Sequence, residues 1–378
     1  MKSPYSARRL WAVIVKEFVQ MRRDRLTFAM MVGIPILQLV LFGFAINADP
    51  KALPTAVLVN DPSIYSRTFL HALENTGYFR IVRQVTTEEQ AERAMALGSV
   101  QFVVTIPTNF ARDLTRGERP VLLVEADATD PAATSNALAA LLTINQTALT
   151  RDFEGTLSAL QPMVPPFEVR VHRRYNPEGI TQYNIVPGLI GTILTMTMVM
   201  MTGLAMTRER ERGTMENLLA TPVRPLEVMI GKILPYIAVG YVQVTIILIA
   251  AKLLFRVPMV GSLVLLSVAL VLFIAANLAV GFTFSTLARN QLQAMQMAFF
   301  FFLPSILLSG FMFPFRGMPE WAQWIGEVLP LTHFLRILRG ILLKGSGPAD
   351  IAPNIWPIAL FLFVVATIAL IRYRETLD

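Results

Sequence analysis

Six stretches of this chain run for at least nineteen residues without a formal charge: 26–48, 179–207, 233–251, 257–288, 290–315 and 351–371. An α-helix rises about 1.5 Å per residue, so about 20 apolar residues cross the roughly 30 Å of a bilayer's hydrocarbon core. Every one of the six is long enough to span. A soluble fold would have to hide all of them with few charges left to face water, and 54% hydrophobic residues at a mean hydropathy of +0.53 leave no room for that alternation. The expected fold class is a polytopic α-helical membrane protein with six transmembrane helices.

Orientation follows from the basic residues beside the spans. Lys2, Arg8, Arg9, Lys16, Arg22, Arg23 and Arg25 precede the first span, and Arg208, Arg210, Arg212, Arg224 and Lys232 connect the second to the third. The positive-inside rule puts both segments, and hence both chain ends, in the cytoplasm; the expected location is a bacterial inner membrane. The net charge of +7 then reports topology and contact with the lipid bilayer, not a nucleic-acid partner. Within residues 1–25, Leu10, Trp11, Ile14, Val15, Phe18 and Met21 form one helical stripe. That pattern predicts an amphipathic helix lying on the inner leaflet or docking on the protein's own cytoplasmic surface.

Between the first span (26–48) and the five later ones (181–378), residues 49–180 change character. Charges of both signs appear, and β-rich runs at 56–59, 81–85, 100–106, 121–125 and 167–171 alternate with helical patterns at 65–75, 88–97, 109–115 and from 131 to about 160. Asp61-Pro62-Ser63 and Thr86-Thr87-Glu88-Glu89 read as helix starts, and Asn75-Thr76-Gly77 as a helix stop. The expectation is an α/β domain in the periplasm, which the absence of cysteine leaves without disulfides.

Several chemistries are missing. The chain has no G-x-x-x-x-G-K-[ST] phosphate loop. His71, His172 and His333 are far apart in sequence, so no metal cluster is expected and each histidine reads as a surface or interface residue. The six stretches hold no ionisable residue, unlike the interiors of ion-coupled carriers. The chain reads as a non-enzyme that binds no cofactor; if it transports, a partner supplies the energy.

Two segments carry the local signals. In RERERGTMENLLATPVRPLEVMIGK (208–232), alternating Arg and Glu from 208 to 212 lead through Gly213 to a short helix capped by Thr214 and stopped at Thr221-Pro222, with Leu218 and Leu219 adjacent. Such a helix suits docking in a groove of another protein, and it equally suits a solvated hairpin. In 314–353, Trp321, Trp324, Ile325, Val328 and Leu329 make one short helix between Pro319 and Pro330, and Phe334, Leu335, Leu338, Ile341 and Leu342 make a second. Neither spans. Both are expected in or dipping into the outer leaflet, with Arg336, Arg339 and Lys344 facing polar groups.

The Glu209 to Pro222 pattern, E-R-E-x-G-T-x-E-x-L-L-x-T-P, resembles the cytoplasmic loop of ABC-2 type permeases, the membrane subunits of ATP-binding-cassette exporters. Leu308-Ser309-Gly310-Phe311-Met312-Phe313-Pro314 with Met318-Pro319, Trp321 and Leu329-Pro330-Leu331-Thr332-His333 resembles the family's fifth span and outer re-entrant segment. Arg174-Tyr175-Asn176-Pro177-Glu178 and Val186-Pro187-Gly188 resemble the approach to the second span in the subgroup with a large external domain, which is multidrug-efflux-like. The resemblance implies a second permease subunit (identical or a paralogue), an ABC ATPase that uses ATP and Mg, and a periplasmic membrane-fusion adaptor. It also implies that the loop (208–228) is a coupling helix, with Glu211, Gly213, Thr214, Glu216, Leu218, Leu219 and Pro222 meeting the ATPase. Pro314, Trp321, Trp324 and Pro330 mark the outer re-entrant pair, which reads either as an outward gate or as a passive membrane collar.

Small polar and flexible residues cluster in spans two and five, where the family places its dimer seam. Thr195, Met198, Thr202, Gln293 and Gln296 are the candidate path residues, although such side chains also simply pack helices. The expected function is export of amphipathic or hydrophobic compounds. Export of a lipid-linked envelope precursor, or mechanical signalling with no cargo, remain the alternatives.

Overall fold

The computed structural model describes residues 50–149, 165–211 and 225–372. The expected first span (26–48) and the N-terminal amphipathic helix lie outside the described residues. So do most of the cytoplasmic loop and the last part of the helix expected to run to about residue 160.

The first half is an α/β sheet region. Five strands, β1 (Leu53–Val59), β2 (Phe79–Val85), β3 (Phe102–Ile106), β4 (Val121–Asp127) and β5 (Glu168–Arg174), pair in the order β2-β1-β3-β4-β5. All pairs are parallel except β3 with β4. Parallel neighbours need a crossover, and the helices α1 (Ile64–Asn75), α2 (Glu88–Ala96), α3 (Phe110–Thr115) and α4 (Pro131–Thr147) fall between the strands. The starts and stop read from sequence are present. Ser63 Oγ accepts from Ser66 N–H, Thr87 Oγ1 accepts from Gln90 N–H, and Gly77 leaves α1 at φ +74°. One face of the sheet carries the larger core, where Phe69, Phe102, Phe110 and Phe167 are fully buried with Leu141 of α4. The other face packs on α2 through Ala56, Val103 and Met95, while toward β4 and β5 it turns polar.

The second half is helical: α5 (Gln182–Glu211), α6 (Pro225–Phe255), α7 (Leu263–Leu287), α8 (Gln291–Leu308), the short α9 (Glu320–Val328) and α10 (Pro330–Arg339), one π-helical turn (Gly340–Lys344) and α11 (Pro348–Arg372). Among the described residues, α5, α6, α7, α8 and α11 are long and apolar enough to cross a membrane. Helix α7 is central and packs on α5, α6, α8 and α11. Its Gly281 permits the closest approach: a Cβ there would lie 2.5 Å from the Val199 carbonyl of α5.

The longer charge-free stretches hold turns as well as helix. Residues 257–262 form a loop before α7, with Ser262 as its cap. The fifth stretch is helical to Leu308, and the chain turns at Gly310 with φ +79°. Helix α10 packs into the helical bundle: Leu331, Phe334, Leu335 and Leu338 are fully buried, and Phe334 stacks on Phe273 of α7 at 4.0 Å. Helix α10 is amphipathic, and its apolar positions find α5 and α7 to pack on while Arg336 and Arg339 reach polar partners in the re-entrant elements.

Candidate functional site

Where the sheet region meets the helices, charges gather that the sequence scatters. Lys344, the last residue of the π turn, donates to Asp127 Oδ2 at 2.6 Å and to the Met95 carbonyl at 3.3 Å, and its ammonium lies 5.1 Å from the Tyr175 ring centroid. Both members of the ion pair are only 9% exposed at the side chain, so the contact is largely shielded from water. Asp127 ends β4 and also receives the Thr129 N–H and hydroxyl. Tyr175 stands at φ +68°, and burial, followed by the nearby Asp127 charge, pushes its hydroxyl up to about 12. Two more bonds cross the same junction, from Arg316 to the Gly98 carbonyl (3.0 Å) and from Asn184 to Asp130 Oδ1 (3.3 Å).

Behind this junction the re-entrant elements are pinned to one another. Arg336 holds Glu327 through two bonds of 3.0 and 2.6 Å and covers the Phe315 ring at 4.6 Å. Burial would raise the Glu327 carboxyl, but the Arg336 bonds and charge outweigh it and hold it below the usual carboxylate range. His333, expected at a surface or interface, is buried instead, with ring nitrogens 2.8 Å from the Glu327 carbonyl and 3.1 Å from Asn354 Oδ1 of α11. Its neighbours on α10 are core residues, so the ring follows them inward and takes partners there. Arg339 donates to the carbonyl of Gly310, the residue that breaks the chain after α8. Of the gate residues, Pro330 is the buried first residue of α10 and Pro314 precedes a 3₁₀ turn (Phe315–Gly317), while Trp321 and Trp324 are exposed on α9.

At the opposite end of the bundle, Glu211 closes α5 and accepts the Gln291 N–H that opens α8, at 2.8 Å, together with the Gln291 side-chain amide. Those bonds hold its carboxyl below the usual range. Gly213, Thr214, Glu216, Leu218, Leu219 and Pro222 lie outside the described residues.

The candidate path residues lie on α5 and α8. Thr195, Met198 and Thr202 are buried in the bundle, with the threonine hydroxyls returned to the Gly191 and Met198 carbonyls of their own helix. Gln293 is buried and accepts the Arg289 N–H. Gln296 Oε1 is buried and has no hydrogen-bond partner among the described residues. No group of acids or histidines able to hold a metal occurs among the described residues. Sequence reading did not single out Asp127 or Asp130, whose only trace was a cluster of acids at the end of a strand. Nor did it foresee the pairing of Glu211 with Gln291, which are eighty residues apart.

Comparison with known proteins places these features in context. Residues 25–371 match the model of the ABC-2 family transporter protein. The "Probable multidrug ABC transporter permease YbhS" of Escherichia coli (strain K12) is 30% identical over 364 residues, covering 96% of this chain and 94% of its own. Its compatriot "Probable multidrug ABC transporter permease YbhR" is 27% identical over 367 residues, covering 97% and 98%. The "Inner membrane transport permease YhhJ" of the same strain is 27% identical, covering 90% and 93%.

Proposed function

This chain belongs to the ABC-2 transporter family, and on that premise we propose that it is the export permease of an efflux system for amphipathic or hydrophobic compounds. Membership makes it the membrane subunit of an ABC transporter, an integral membrane protein that works with an ABC ATPase partner. In our reading the chain lies in the inner membrane with both ends in the cytoplasm and six spans, the first of them at 26–48. The sheet region stands in the periplasm, where it meets an adaptor. Two permease subunits, identical or paralogous, form the route, and ATP and Mg are used in the partner while this chain binds neither. Relatives named as multidrug permeases support the cargo class.

The observation that carries driven export is the Glu211–Gln291 clamp. It joins the start of the cytoplasmic loop (208–228) to the first residue of α8, so a push on the loop by an ATPase moves α8 directly. Helix α8 ends at Leu308, two residues before Gly310, whose carbonyl is held by Arg339 of α10, and the π turn after α10 holds the sheet region through Lys344 and Asp127. This chain of contacts links the cytoplasmic loop to the periplasmic domain through elements that each make a hydrogen bond or ion pair to the next. A route lined by Thr195, Met198 and Thr202 requires α5 and α7 to part during the cycle, since their closed packing covers those residues. Gln296, whose buried Oε1 has no hydrogen-bond partner among the described residues, is the candidate path residue with hydrogen-bonding capacity to spare.

The test is a mild-detergent pull-down from native membranes, wild type beside Glu216→Arg with Leu219→Asp, read by mass spectrometry and an ATPase assay. Recovery of a phosphate-loop ATPase with the wild type and its loss in the double variant is the expected result. An ATPase that the variant retains in full sinks the coupling role of the loop.

A further inference from the structure

Helices α6 and α7 do not close on each other along their whole length. Between them runs a groove of about 610 Å³, with Leu248, Ile249 and Lys252 on one wall, Leu266 and Leu270 on the other, and Met259 of the connecting loop at its end. That volume falls within the roughly 300–1,000 Å³ of ligand sites. The two helices are membrane-crossing in length and hydropathy, and the residues around the groove, among them Ile246, Leu253 and Val264, are exposed and apolar. At the inner end the Tyr241 hydroxyl is already bonded to Ser267 (2.6 Å to Oγ), so it asks nothing of a ligand. From Tyr241 to Lys252 the groove measures about 16 Å at 1.5 Å per residue, close to half of a hydrocarbon core about 30 Å thick, which is the depth of one leaflet.

Lys252 gives the groove a polarity. It lies three residues before the end of α6, where the chain leaves the apolar layer. It is exposed and has no hydrogen-bond or ion-pair partner among the described residues. We infer that this groove binds one anionic phospholipid, with an acyl chain between α6 and α7 and the phosphate against the Lys252 ammonium. Charge complementarity at a headgroup-level cation and an apolar slot one leaflet deep select that occupant over a neutral lipid. The loop that ends the groove is fastened to the π turn by Val260 N–H to the Leu342 carbonyl and Gly261 N–H to the Ile341 carbonyl. The lipid therefore braces the turn whose Lys344 holds Asp127.

The experiment uses the full chain in mild detergent and native mass spectrometry, with dioleoyl phosphatidylglycerol titrated beside dioleoyl phosphatidylcholine and dioleoylglycerol. Phosphatidylglycerol should bind most tightly. Lys252→Gln, at an exposed position that does not threaten folding, should weaken it about fivefold, the equilibrium equivalent of one lysine near an anionic surface, and leave dioleoylglycerol unchanged. Leu266→Trp, which fills the slot, should weaken all three. Unchanged phosphatidylglycerol affinity in Lys252→Gln, or no preference over dioleoylglycerol, overturns the inference. Because the chain has no cysteine, Ile249→Cys gives a further arm: an oxidative cross-link to a second copy in membranes would show that protein covers the groove. The inference needs only that α6 and α7 lie in a bilayer, so the ATPase pull-down and this binding test fail independently.

Discussion

Asp127 and Lys344 show how much one contact between distant residues is asked to hold. Removing the lysine leaves a carboxylate buried without its partner, and breaking a buried pair in this way costs about 3–5 kcal/mol. Lys344→Met should therefore lower the unfolding midpoint of the purified chain strongly, whereas Lys344→Met with Asp127→Asn, which removes both charges, should regain most of the loss in the same thermal melt. Glu327 yields a pH signature. Its folded value lies below the ordinary 4.5, so the Arg336 contact contributes stability that is fully present above that value and is lost as pH falls through the lower folded value. Glu327→Gln should lower the melting temperature at pH 7 and make progressively less difference as pH drops below about 4.3. A gap between the two proteins that stays constant down to pH 3 would mean that the ion pair is not what Glu327 contributes.

Among the elements, the helix ends do the connecting. The α5 terminus and the α8 start are joined by Glu211 and Gln291, and the bodies of the same two helices also pack on each other, with α5 packing in turn on α7. Gln291→Leu keeps the backbone N–H bond but removes the side-chain amide that grips Glu211. The expected outcome is a complex that still recovers its ATPase and hydrolyses ATP, with transport reduced several-fold, measured as cargo moved per ATP in proteoliposomes. Equal coupling in variant and wild type would show that the loop reaches α8 by some other contact. The apolar lengths of α5, α6 and α11 were legible because crossing a bilayer demands an uninterrupted run, and the alternating strands and helices of the sheet region were legible because caps and β-branched runs are local signals. The short elements were harder to read. An apolar run reads alike whether its side chains end up exposed, as many of those on α11 do, or in the protein core, as those of α10 do.

For the whole molecule, the absence of cysteine makes topology directly measurable. A single cysteine in place of exposed His71 on α1 should react with a membrane-impermeant maleimide in spheroplasts, and one in place of Arg374 should react only after permeabilisation. The reverse pattern would invert the proposed orientation. What the chain's sequence determined by itself is the class of molecule, because burying long charge-free helices leaves a bilayer as the only adequate solvent, and the alternation in its first half needs only local propensities to form strands and helices. Tertiary structure alone decided which charges meet. Lys344 finds Asp127 from 217 residues away, Gln291 finds Glu211 from eighty, and His333 is drawn inside with α10. Such pairings depend on how helices and sheet close in space, and the distance along a chain between two charges carries no information about whether folding will bury them together.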